Sequence, residues 1–173
     1  MNAVADCGLV STKEFGKINL SIRYRPIDEM ILEENQAGTI NDSVYKAGLK
    51  KYKNLQYFTF TISSADNNEI LDEGNEDTDY YKLLDYLSNS IESDFFLIEN
   101  GDTLPCVLSH YERNFGLSPK NNVSLAFKSN SLGREFENDK IIAYDDHLFD
   151  VGLLHFKFSK ENLNKLPILE YEK

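Results

Sequence analysis

Hydrophobic and polar residues alternate in several segments of this chain, a pattern typical of β-strands that bury one face. The clearest segment is 17–25, in which every second residue is apolar: Ile18, Leu20, Ile22 and Tyr24. Segment 56–62 follows the same rule through Phe58, Phe60 and Ile62. Further extended segments are predicted at 141–144, 151–158 and 168–171. Strands therefore dominate the predicted fold.

Residues 94–127 predict an antiparallel meander at the centre of this fold. Two apolar runs flank Asn100-Gly101, a dipeptide that favours a tight hairpin turn because both of its residues tolerate positive φ. A second turn is predicted over 116–122, and alternation resumes over 123–127. Pro105 lies inside the second apolar run and lacks a backbone N–H. That strand should therefore lie at a sheet edge or contain a bulge.

Three segments have helical spacing instead. A short helix is predicted after Pro26, where Asp28 and Glu29 suit the positive end of a helix dipole. Residues 41–43 offer capping side chains for a second helix. The third helix follows an acidic loop and has a regular apolar stripe: Tyr80, Leu83, Leu84, Leu87 and Ile91.

Strands and helices are largely segregated along the sequence, which favours an α+β fold over alternating βαβ units. We predict a strand-dominated antiparallel β-sheet or sandwich, with two or three helices packed on one side. Residues 17–173 should form a single globular domain, and residues 1–16 a flexible N-terminal tail. The chain of 173 residues is long enough for one well-developed core.

The charge of the chain narrows the classes of partner. Its net charge is -11, and nucleic-acid binding requires a positive surface. We therefore expect no nucleic-acid partner, and no apolar segment is long enough to span a membrane. The acidic surface suits a basic protein partner or a cation, or serves solubility alone.

The two cysteines, Cys7 and Cys106, leave the compartment open. They would pair in an oxidising compartment, or remain one tail thiol and one buried thiol in a strand. Cys7 lies near the N-terminus, where a lipid-modified cysteine begins a mature lipoprotein, although no lipobox precedes it. A periplasmic or outer-membrane location, with a lipid anchor, is therefore favoured over the cytoplasm.

Three groups of residues are candidates for metal chemistry. The loop 72–79 is rich in carboxylates, which calcium prefers, but its spacing does not fit an EF-hand. His110 and Glu112 share one strand face, and His155 would complete a two-histidine, one-carboxylate set. His147 lies beside several aspartates. Chance adjacency explains the two histidine groups better than catalysis, and the loop 72–79 is better explained as a solvated acidic loop. We therefore predict no metal, no cofactor and no catalytic residues.

Tyr111, Arg113 and Phe115 are the predicted binding residues. They follow Pro105 in the strand expected to be exposed or bulged, and Tyr and Arg commonly anchor protein interfaces. Alternatively, Tyr111 and Phe115 belong to the core. The basic face of segment 17–25, which carries Arg23 and Arg25, is a contact surface or pairs with carboxylates on a neighbouring strand.

These patterns favour a non-enzymatic binding or assembly protein, as a bacterial extracytoplasmic domain that engages a protein partner. One alternative is a cytoplasmic acidic inhibitor or immunity-type protein that neutralises a basic partner. A second alternative is a metal-dependent enzyme that uses His110 and Glu112. The sequence contains no nucleophile elbow, phosphate-binding loop or dinucleotide-binding motif.

Overall fold

The computed structural model describes residues 8–35, 40–64, 78–113, 118–128, 136–166 and 169, with the backbone alone at 78–80. The strands are Val10–Phe15 (β1), Ile18–Arg25 (β2), Leu55–Ser64 (β3), Phe95–Glu99 (β4), Asp102–Glu112 (β5), Lys120–Lys128 (β6), Lys140–Asp146 (β7) and Gly152–Phe158 (β8). The helices are Ile27–Glu34 (α1), Asp42–Tyr52 (α2), Thr78–Asn89 (α3) and Lys160–Leu163 (α4), and a 3₁₀ turn spans Ile91–Asp94.

All of these strands belong to one antiparallel sheet with the order β1-β2-β3-β6-β5-β4-β7-β8. The predicted strand-dominated, antiparallel fold is confirmed, and the meander β4-β5-β6 lies at the centre of the sheet. The sheet curls until β1 and β8 approach each other, so it forms a nearly closed barrel. The sandwich alternative is wrong. Alternating residues face inward in both architectures, so the sequence pattern does not separate them.

The hairpin turn between β4 and β5 forms as predicted. Asn100 and Gly101 have φ values of 55° and 84°, as a tight turn with two left-handed residues requires. Glu99 is paired with Asp102 on either side of this turn. The turn therefore fixes the register of the hairpin.

β5 bends at a bulge. Its residues 102–105 pair with β4, its residues 106–112 pair with β6, and the register shifts between Cys106 and Leu108. Pro105 is itself opposite Phe96 of β4, so Pro105 is not at a sheet edge. The bulge, which was the other alternative, lies just beyond it. Bulges increase local twist and bend the strand, and this one lets β5 join the two halves of the barrel.

The barrel interior is filled with aromatic side chains from opposite walls. The rings of Phe95 and Tyr144 are stacked with centroids 4.5 Å apart. Phe60 lies 5.0 Å from Phe95 and 5.1 Å from Tyr144. All three are fully buried, and burying a side chain of this size stabilises the fold by roughly 1.5–3 kcal/mol. Of these three residues, Phe60 occupies an inward position that the alternation predicts.

The helices lie at both rims of the barrel, which corrects the prediction that they pack on one side. α1 and α2 connect β2 to β3 and form their own cluster through Ile27, Ile31 and Tyr45. α3 connects the other end of β3 to β4 and buries Leu87 in the main core. The connections determine this placement, because an antiparallel strand order alternates the rim at which each loop leaves.

The N-terminal segment also differs from the prediction. Residues 10–15, which were assigned to a flexible tail, form β1 and pair with β2. The inward-facing positions of this strand include Ser11 and Lys13, which lie opposite Ile22 and Leu20. These polar residues hide the alternation that would have revealed the strand. An inward-pointing lysine is a common feature of sheet edges.

The carboxylates that pair with the arginines of β2 lie on α1 and not on a neighbouring strand, although Arg25 also donates a 3.3 Å hydrogen bond to the Thr59 hydroxyl of β3. Arg23 donates two hydrogen bonds of 2.7 Å to Glu29 of α1, and Arg25 donates one of 2.9 Å to the same carboxylate. Arg25 also binds Glu33 of α1. These bonds hold α1 against the outer face of β2, which agrees with a structural role for the basic face.

Candidate functional site

The bend in β5 leaves part of this strand with a neighbour on one side only. Residues 107–112 of β5 lie along β6 on one side. On the other side, β4 pairs with residues 102–105 of β5 and does not extend to 107–112. In an antiparallel ladder, alternate residues direct their N–H and C=O groups away from the paired neighbour. Within the described ranges, no strand pairs with this second side of 107–112. The 3₁₀ turn Ile91–Asp94 packs against β5, so the part of 107–112 that this turn leaves uncovered offers a short edge in the middle of the sheet.

A groove runs between this edge and α3. It is open to solvent, has a volume of about 450 Å³, and is lined by Ser88, Ser109, His110, Tyr111 and Arg113. The groove lies between a strand edge and a helix, and this arrangement is suited to an extended peptide.

The floor and far wall of the groove are firmly held. Tyr111 is only 8% exposed, and its hydroxyl donates a 2.7 Å hydrogen bond to Oδ1 of Asn121 on β6. On the other wall, Leu87 of α3 is buried beside Ser88. The nearby Tyr86 hydroxyl donates to Asp94 at 2.5 Å. These contacts fix Tyr111 to β6 and tie α3 to the turn Ile91–Asp94 beside the groove.

The structure brings two of the three predicted binding residues together. Tyr111 and Arg113 both line the groove, whereas Phe115 lies outside the described residues. Tyr111 is mainly a core residue, and Arg113 is exposed. Their binding role stays a prediction. Ser88 and Ser109 were not identified from the sequence, because isolated serines on a helix and a strand carry no recognisable signal.

The charge of the groove is opposite to that of the whole chain. Arg113 and His110 are the groove residues that can be cationic, and no carboxylate lines the groove. Within the described part of the chain, neither side chain makes a hydrogen bond or an ion pair. The neighbouring Glu112 accepts a 3.2 Å hydrogen bond from Ser124 on the outer sheet face. Arg113 thus has its guanidinium available to a ligand.

The bulge adds an apolar element beside the groove. Val107 and Leu108 are 40% and 53% exposed. Leu108 lies opposite Ala126 of β6, which in turn lies opposite Tyr57 of β3. Ala126 is fully buried, so we refer to Val107 and Leu108 alone as the bulge patch. Exposed apolar side chains at a sheet edge commonly mark sites of protein contact.

The metal candidates do not converge. His110 is on β5 and His155 on β8, and β4 and β7 lie between these strands. Nδ1 of His147 is 3.7 Å from Asp94. Among the described residues, no group of three or more histidine, cysteine or acidic side chains is arranged to hold a metal ion. Of the acidic loop 72–79, residues 72–77 lie outside the described residues, and only the backbone of 78–79 is described.

The environment of Cys106 does not favour an activated thiol. It is half-buried next to the bulge, and its thiol lies 3.2 Å from the carbonyl oxygen of Leu108. Burial raises the pKa of this thiol, although backbone hydrogen bonds partly oppose the effect. Reactive thiolates need the opposite environment. Cys7 lies outside the described residues, so the pairing of the two cysteines stays open.

Comparisons with protein-family models, curated proteins and solved structures give no match to this chain. The fold and the groove are therefore interpreted from the residues of this chain alone. Each helix in the described part of the chain is too short or too polar to cross a membrane.

Proposed function

We propose that this protein binds a protein partner by accepting an extended segment of it in the groove between β5 and α3. The observation that supports this most is the one-sided pairing of residues 107–112 beside an open groove. An added strand would hydrogen-bond with the available side of β5, and its alternate side chains would face α3 and solvent. Val107 and Leu108 of the bulge patch would give the partner an apolar contact.

The two terminal strands of the sheet are less suitable for strand addition. β1 and β8 approach each other across the seam of the barrel, which limits the space at their outer edges. β1 also carries the inward-facing Lys13 opposite Leu20, and such residues discourage pairing. The groove beside β5 has neither obstacle.

A display library of random linear peptides, selected against the purified protein, tests this proposal. Affinities of the recovered peptides are then measured for the wild type, Ser88→Trp and Asn89→Trp. Both positions are exposed near the end of α3, but only Ser88 lines the groove. Filling the groove with the indole should weaken binding by about tenfold or more, while Asn89→Trp should bind as the wild type does.

Near-ultraviolet circular dichroism and thermal unfolding would establish that both variants are folded. Peptides that bind Ser88→Trp as tightly as the wild type would contradict the proposal. Failure to recover any specific peptide from the library would contradict it as well.

The proposed binding mode does not depend on the cellular compartment of the protein. An extracytoplasmic, lipid-anchored protein and a cytoplasmic inhibitor would each use such a groove, and both remain predictions from the sequence. The absence of enzymatic activity is likewise a prediction. The alternative of a metal-dependent enzyme needs His110 and His155 in one site. Two strands separate β5 from β8 in the sheet, which does not favour this alternative.

A further inference from the structure

We infer that the segment bound in this groove presents a carboxylate, and that Arg113 is the residue that binds it. This inference rests on the proposed function, because it concerns the chemistry of the same groove. It specifies the partner as an extended peptide with an acidic side chain or a free C-terminus at the position that faces Arg113. His110 would add a second donor from the strand.

The pairing of the arginines supports this assignment. Three arginines lie within the described residues, and two of them, Arg23 and Arg25, are bonded to glutamates of α1. Arg113 is the one without such a partner in that part of the chain. A guanidinium presents planar, forked donors that match a carboxylate in two parallel hydrogen bonds. In a chain with 29 acidic residues, this arginine has no carboxylate in its groove.

The other lining groups are complementary to the same ligand. The Ser88 and Ser109 hydroxyls are hydrogen-bond donors, and the imidazole of His110 has a donor nitrogen in both of its charge states. Hydroxyls, an imidazole and a guanidinium together form a donor-rich surface. A cationic segment would instead find no acceptor of full negative charge among the lining residues.

The overall negative charge does not oppose this assignment at close range. Interactions between exposed charges are largely screened beyond about 10 Å at 0.1 M salt. The nearest groups therefore determine the sign of the field that a bound residue experiences. The -11 charge of the chain would slow the approach of an acidic peptide at low salt without cancelling the contact with Arg113.

The test uses four pools of short synthetic peptides with randomised apolar and threonine flanks. Three pools are acetylated and amidated and carry a central aspartate, asparagine or lysine. The fourth has central asparagine and a free C-terminal carboxylate. Fluorescence anisotropy measures their binding to the wild type, Arg113→Gln, Arg113→Lys, Lys128→Gln and Ser88→Trp. Lys128 is an exposed residue of β6 that does not line the groove, so Lys128→Gln controls for the loss of one positive charge.

We expect the aspartate pool, or the pool with a free C-terminus, to bind the wild type about tenfold more tightly than the amidated asparagine pool. Arg113→Gln should abolish this preference, Arg113→Lys should retain part of it, and Lys128→Gln should leave it unchanged. The pool that responds to Arg113→Gln identifies the source of the carboxylate.

If all four pools bind the wild type equally, the carboxylate assignment is overturned. If Ser88→Trp then loses this binding, the proposed function still stands. Binding of none of the pools would count against the proposed function itself. A preference for the lysine pool would overturn the assignment and would favour a basic partner.

Discussion

Lys140 and Glu99 form an ion pair at one rim of the barrel, although the Lys140 side chain has no exposed surface. Glu99 also accepts a 2.7 Å hydrogen bond from Gln56, which is 3% exposed. The ammonium lies 5.0 Å from the centre of the Phe136 ring. Burial lowers the pKa of Lys140, and the bond to Glu99 opposes this shift. The pair joins β4 to β7 and β3.

We predict that Glu99→Gln destabilises the fold by about 3 kcal/mol, because it leaves a buried ammonium without its counter-charge. The double variant Glu99→Gln, Lys140→Met should recover most of this loss, since it removes the buried charge as well. Urea unfolding at neutral pH would measure both free energies of unfolding. A loss of less than about 1 kcal/mol in the single variant would show that the pair is solvated.

A second prediction concerns the pH dependence of stability. Burial raises the pKa of Tyr86, and its hydrogen bond to Asp94 raises it further. Tyr144 is shifted in the same direction by burial and by its contacts with Tyr86 and Asp146. The folded state keeps these phenols protonated above about pH 10, where tyrosines of the unfolded chain ionise. Their contribution to stability is therefore complete below about pH 10 and is lost as the pH rises further.

Tyr86→Phe tests this effect, because it removes the Tyr86 phenol together with its contacts to Asp94 and Tyr144. Above about pH 10, the free energy of unfolding of the wild type should fall more steeply than that of the variant, by up to about 1.4 kcal/mol per pH unit. At neutral pH the variant should be less stable by about 1 kcal/mol, through loss of the bond to Asp94. Urea unfolding across a pH series measures both quantities. Identical slopes would mean that Tyr86 is ionised equally in both states.

Gly48 provides a test of the packing between α1 and α2. A Cβ at this position would lie 2.6 Å from Cγ1 of Ile31, which is fully buried. Although alanine is favoured over glycine in helices by about 1 kcal/mol, overpacking costs roughly 1–3 kcal/mol. We therefore expect Gly48→Ala to lower stability by about 1 kcal/mol.

Thermal unfolding of Gly48→Ala, Ile31→Ala and the double variant would measure this coupling. The double variant should be more stable than the separate losses imply, because Ile31→Ala removes the atoms that clash. Additive losses would show that the two residues do not share a packing site.

The sequence predicts those features that depend on local pattern. The alternation of Leu20 and Ile22, the Asn100-Gly101 turn and the Asn41 cap, whose side chain accepts from the Val44 amide at 3.0 Å, all form as expected. Each depends on residues close together in sequence. These local features do not predict the barrel, because its curvature arises from the bulge after Cys106 and from strand pairing across the whole sheet.

The candidate site is predictable only in part, for the same reason. Tyr111 and Arg113 stand out by residue type and by their position after Pro105. Ser88 reaches the groove because α3 packs beside β5. The 3₁₀ turn and β4 separate these two elements along the chain, so no local sequence pattern predicts their contact. The strand β1 was missed for a similar reason. Its inward positions carry the polar residues Ser11 and Lys13, so the strand is recognised only from its pairing with β2.

Amide hydrogen exchange, with and without a peptide recovered by selection, tests the account most directly. We predict that the peptide slows exchange along residues 109–112 of β5, at Arg113 and near Ser88, and leaves exchange in β1 and β8 unchanged. Slowed exchange at the edge of β1 or β8, with unchanged exchange along β5, would contradict the assignment of the groove as the binding site.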